Sequence, residues 1–185
     1  MQTPVALLTA DQLFRMPDDG YCHELVEGRL TTVSPPGFVH GICGGRLIAA
    51  LERHVREQGL GYVAQDTGFT LRTDPDTVRA PDVAFVAAAR IPRGDLPLKY
   101  WPGAPDLAVE VLSPRERGID RKIEDYLTSG ARAVWIVRPR DRTVTVHHPA
   151  APPRVFQEDE LLEDPQVMPG FRYPLRDLFE NLPRR

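Results

Sequence analysis

Residues 106–112, Asp-Leu-Ala-Val-Glu-Val-Leu, form a nearly unbroken apolar run, and this run constrains the fold more than any other stretch. A strand with one wet face alternates apolar and polar residues. An unbroken apolar strand is covered on both faces, so the chain needs a sheet with layers on either side. Glu110 sits in the middle of the run. A carboxylate there loses much of its hydration, at a cost of several kcal/mol unless a cation or hydrogen-bond donors compensate. The cation is either a structural Arg or Lys, or a metal ion shared with a second carboxylate.

Such a carboxylate is at hand. Ala80-Pro-Asp-Val-Ala-Phe-Val86 reads as part of a strand over 79–86, with Asp82 at its mouth. After the central strand, Ile119, Ile123, Tyr126 and Leu127 recur at helical spacing, and Lys122 falls at the edge of that face, within reach of the sheet. Two carboxylates and a lysine converging on one spot suit metal-assisted phosphodiester hydrolysis. The carboxylates hold magnesium, and the lysine positions a water and offsets charge on phosphate.

These residues resemble the Uma-two family of restriction endonucleases, within the PD-(D/E)XK nuclease superfamily: Asp82 after proline, Glu110 in Val-Glu-Val-Leu-Ser-Pro, and Lys122 four before Tyr126. The likeness continues in His23-Glu-Leu-Val-Glu-Gly28, in Ser34-Pro-Pro-Gly-Phe-Val-His40 and in Gly130-Ala-Arg-Ala-Val-Trp-Ile-Val137. It implies an α/β, restriction-endonuclease-like mixed sheet flanked by helices. It also implies a magnesium-dependent endonuclease acting on DNA, a hydrolase of ester bonds, with manganese as a substitute ion. Asp82, Glu110 and the backbone carbonyl of Val111 would hold the metal, and Lys122 and His40 would join the two carboxylates as catalytic groups. Two departures stand out. The superfamily's common spelling puts the lysine two residues after the acid, where this chain has Leu112, so the role falls to Lys122 on the next helix. Arg29 stands where the family often has an acid.

Around the proposed site, Arg115, Arg117 and Arg121 form a basic cluster with Lys122 that would contact backbone phosphates, or else would be an ordinary solvated face interleaved with Glu116 and Asp120. Glu24 and Glu27 read as a solvated hairpin, in preference to a role at the site. Leu98-Lys-Tyr-Trp101 reads as a covering loop, with His147 and His148 at the surface. Helices are expected over 9–16 and 39–58, and a single strand over 61–72.

At 185 residues the chain fits one domain, 1–185, with its core at about 10–150 and a short C-terminal extension. A net charge of −3 argues mildly against a nucleic-acid binder, although a local basic patch would suffice. Two cysteines with no C-x-x-C spacing suit a reduced, cytoplasmic protein, and no apolar stretch is long enough for a membrane helix. DNA is the expected partner, and a homodimer, common among such nucleases, stays open. The competing reading is a catalytically inactive nuclease-fold module for DNA binding or dimerisation, in which Glu110 and Lys122 are a buried ion pair.

Overall fold

The computed structural model describes residues 6–114 and 117–183. Helix α1 (Ala10–Phe14) starts at a capping box: the Thr9 side chain accepts from the Gln12 amide, and the Gln12 side chain accepts from the Thr9 amide. Strands β1 (Cys22–Val26) and β2 (Arg29–Val33) form a hairpin about Glu27 and Gly28, both at positive φ. Helix α2 (Phe38–Gln58) carries an apolar stripe of Cys43, Leu47, Leu51 and Val55, and it stops at Gly59 in the left-handed region. Four strands follow: β3 (Gly61–Gln65), β4 (Phe69–Arg72), β5 (Thr77–Arg79) and β6 (Val83–Ala87). A 3-10 turn (Ala88–Arg90), β7 (Trp101–Pro102) and β8 (Leu107–Val111) lead into α3 (Ile119–Thr128). The chain closes with β9 (Ala133–Arg138), β10 (Thr143–His147), β11 (Arg154–Phe156), β12 (Leu161–Asp164), β13 (Met168–Pro174) and α4 (Leu175–Leu178).

The six-stranded sheet runs β11-β10-β9-β8-β6-β3, with only β8 and β9 parallel, joined through α3. A second sheet runs β2-β1-β5-β4-β7, and β12 pairs with β13 alone. The architecture is therefore the expected mixed α/β arrangement with helices on its faces. β8 is buried at every position. Its alternation sends Leu107, Val109 and Val111 into a core with α2 and residues 162–182. Ala108 and Glu110 face the other way, toward α3 and the apolar residues Phe69 and Leu71 of the second sheet. C-terminal residues such as Leu162, Met168, Leu175 and Phe179 thus complete the same core as Trp135.

Two stretches read as single strands are each broken in two. The run over 61–72 splits at Asp66, at positive φ, and at Gly68, where a Cβ would overlap the ring of Tyr100. The run over 79–86 splits at Ala80-Pro81. Proline has no amide to donate, and the Ala80 amide is taken by the Glu24 carboxylate. At both breaks the chain passes from one sheet to the other. Around the covering loop, Tyr100 packs edge-on against Phe14 and Lys99 pairs with Asp11, while Leu98 projects into solvent. Both cysteines are free thiols. No described helix is long and apolar enough to cross a membrane.

Candidate active site

The antiparallel register of β6 and β8 pairs Val83 with Val109. One step further along, Asp82 and Glu110 become neighbours across the ladder. The backbone then fixes Asp82, whose Oδ2 accepts the Val111 amide at 2.6 Å. His40, in the first turn of α2, places Nε2 at 3.1 Å from the same oxygen. Glu110 is held from α3: Lys122 Nζ donates to Oε2 at 3.0 Å, and the Tyr126 hydroxyl donates to Oε1 at 2.8 Å. Helical spacing puts Lys122 and Tyr126 on one face, aimed at the same carboxylate.

Burial pushes the Glu110 carboxyl up to about 7. Lys122 pulls it down, the negative charges of Asp82 and Glu24 push it further up, and the Tyr126 hydrogen bond lowers it. The same buried environment, next to Glu110, raises the Tyr126 phenol well above its ordinary value, so it stays a donor. Repulsion between the two site carboxylates is thus real, but burial leads.

The structure therefore brings Asp82, Glu110, Lys122, His40 and Val111 to one place. Arg121 is exposed and paired with Glu27 at 2.9 Å, Arg117 is exposed, and Arg115 lies outside the described residues. Glu24 is a correction. It is 2% exposed and not solvated, and Arg79 Nη1 donates to it at 2.7 Å while Lys122 Nζ lies 3.4 Å away. Glu27 does lie on an exposed hairpin turn. A composition signal also bears on the site. Of 23 Lys and Arg residues only Lys99 and Lys122 are lysines, so lysine survives here in a chain that uses arginine almost everywhere else. An ammonium is a compact point charge on a flexible stem, unlike the rigid fork of a guanidinium.

The donor set suits a hard divalent cation. Among the described residues no three His, Cys, Asp or Glu side chains are grouped to hold a metal. Asp82 and Glu110 would be two anionic ligands, with backbone and water for the rest. Magnesium commonly binds this way, through one or two carboxylates and retained waters. Each carboxylate oxygen of Glu110 accepts one bond here and has further lone-pair capacity.

Comparison with known proteins bears on the family and the fold. A family model described as Uma2, putative restriction endonuclease, matches residues 10–176. The chain belongs to this family. Among solved structures, a putative nuclease belonging to DUF820 from Anabaena variabilis superposes with a TM-score of 0.80 at 24% identity, covering 93% of this chain and 97% of its own. The shared fold thus spans nearly all of both chains. No curated protein matches the sequence.

Proposed function

We propose that this protein is a metal-dependent endonuclease that hydrolyses DNA phosphodiester bonds. The observation that carries the reading is the convergence of Asp82, Glu110 and Lys122 at the adjoining ends of β6 and β8. Membership of a family described as restriction endonucleases supports nucleic-acid cleavage and favours DNA as substrate. Asp82 and Glu110, with the Val111 carbonyl, would hold magnesium, or manganese in its place. A divalent ion bound there supplies Lewis acidity, polarising the phosphodiester and making water a better nucleophile near neutral pH.

The chain's own groups do the rest. Lys122 offsets negative charge that grows on the phosphate. His40 and the Val111 amide fix the orientation of Asp82. Tyr126 fixes Oε1 of Glu110. Arg117 and Arg121, with Arg115, lie in the segment that would meet backbone phosphates, and Arg121 would exchange Glu27 for phosphate.

The test is calorimetric titration with magnesium and with manganese, on the native protein and on the Asp82→Ala, Glu110→Gln double variant, followed by cleavage assays on plasmid DNA and on RNA. Binding that vanishes in the double variant, together with ion-dependent plasmid cleavage, is the expected result. Cleavage of RNA alone would reassign the substrate. The second reading, a non-catalytic module, draws on the 3.0 Å Lys122–Glu110 contact. No ion binding in the native protein, with or without DNA, would favour it.

A further inference from the structure

Both groups that touch Glu110 from α3, Lys122 and Tyr126, depend on where that helix sits. Its apolar contacts through Ile119, Ile123 and Leu127 hold it to the sheets but carry no direction of their own. Direction comes from a buried charge network. Arg79, at the end of β5, is 5% exposed and uses its guanidinium as a fork. Nη1 donates to Glu24 at 2.7 Å, while Nε and Nη2 donate to Asp125 Oδ2 at 3.1 and 2.7 Å. Asp125 also accepts from Arg72 at 2.5 Å. Asp125 lies three residues after Lys122 and one before Tyr126, so one grip fixes the turn that carries both. The other arm of the fork holds Glu24, which itself reaches Lys122.

We propose that Arg79 is a positioning residue for Lys122: its fork to Asp125 and Glu24 sets the helix turn and the counter-carboxylate between which the ammonium is aimed at Glu110. This rests on the nuclease reading of the site. Desolvating a network of this kind is costly, and well-packed apolar residues often serve stability as well. Its geometric role is what apolar packing cannot replace. Arg79 touches neither Asp82 nor Glu110 among the contacts described, so it acts through its neighbours.

The test uses Arg79→Lys, which keeps the charge and loses the fork, and Asp125→Asn, which keeps the shape and loses the charge. Two readouts are taken. In metal-free protein, acetic anhydride labelling of Lys122 is measured against Lys99 by peptide mass spectrometry. Lys99, with its side chain 51% exposed against 15% for Lys122, is the internal reference. With magnesium and supercoiled plasmid, kcat and KM are measured separately. Arg142→Lys, which breaks a distant bidentate pair with Glu158, controls for lost stability alone.

The expected result is a several-fold rise in the Lys122 to Lys99 labelling ratio, with kcat down about 10- to 100-fold and KM nearly unchanged, in both variants but not in the control. An unchanged ratio, or an unchanged kcat in an enzyme that cleaves, overturns the proposal. Failure of both variants to fold also overturns it, since the network would then serve the fold alone. If the native protein cleaves neither DNA nor RNA, the nuclease reading fails, and the labelling ratio by itself decides whether Arg79 positions Lys122.

Discussion

A carboxylic acid with its pKa pushed up to about 7 divides itself between two protonation states at neutral pH, and Glu110 is in that position. Its folded pKa is raised above the unfolded value. Stability from this group is therefore fully present below about pH 4.5 and is lost as pH rises through about 7. By pH 8 the ionised group costs about 3 kcal/mol in the metal-free protein. Glu110→Gln should recover about 2 kcal/mol at pH 8 and almost nothing at pH 5, read by urea unfolding with chelator present. If the site takes magnesium as proposed, the ion should raise the melting temperature more at pH 8 than at pH 5.5, because ion and proton would compete for one carboxylate. Tyr126→Phe removes the donor to Oε1; it should cost about 1–2 kcal/mol and move the pH of half-maximal ion binding upward. Lys122→Met should lower cleavage by at least about 100-fold while the fold loses far less than a buried charge left alone would cost, since Glu110 can take up a proton. Unfolding of Lys122→Met at neutral pH would instead mark the pair as a structural ion pair. Glu110 was legible in the sequence because a charge inside an apolar run leaves a mark, and Lys122 because it borders a helical stripe. Glu24 was not, because the partner that buries it, Arg79, is 55 residues away and pairs in turn with Asp125, another 46 residues on. Pairing across such separations leaves no periodicity to read.

The elements were legible wherever one periodicity ran to a clear stop. The α2 stripe ending at Gly59, the Thr9 capping box and the Glu27-Gly28 hairpin follow from local rules. Strand breaks at Asp66–Gly68 and Ala80-Pro81 do not, because alternation carries on through a change of sheet. The local signals there, Asp66 at positive φ and Pro81 without an amide, act together with tertiary ones: the Tyr100 ring over Gly68, and the Glu24 carboxylate on the Ala80 amide. The start of β3 gives a sharp test. Gly61 lies at φ 148 beside Ala87, and an added Cβ would overlap the Val86 carbonyl oxygen, a backbone atom that cannot swing aside. Gly61→Ala should destabilise by about 3 kcal/mol or more, measured by thermal or urea unfolding, because both the conformation and the space are wrong.

The whole molecule has a division of labour between the two faces of its six-stranded sheet. One face carries the core of α2 and the C-terminal strands; the other carries α3 and the charged seam with the second sheet. Trp135 Nε1 donates to the buried Asp164 at 3.1 Å, Arg46 holds the Leu178 and Glu180 carbonyls, and Arg132 reaches the Gln166 carbonyl. Trp135 sits on the strand next to Glu110 but packs into the opposite face of the sheet. Trp135→Phe leaves Asp164 without that donor and should cost about 2–4 kcal/mol of stability, with kcat below the melting transition within about twofold of native. Mutational damage should therefore show itself in two currencies over evolutionary time. Drift on the C-terminal face would be felt as altered abundance, through the fraction of chains lost to proteolysis, and would be forgiven wherever expression is ample. Drift at the α3 seam would be felt in every surviving molecule and forgiven nowhere, so that lineages diverging freely in their tails would still be tied to one another through a handful of charges.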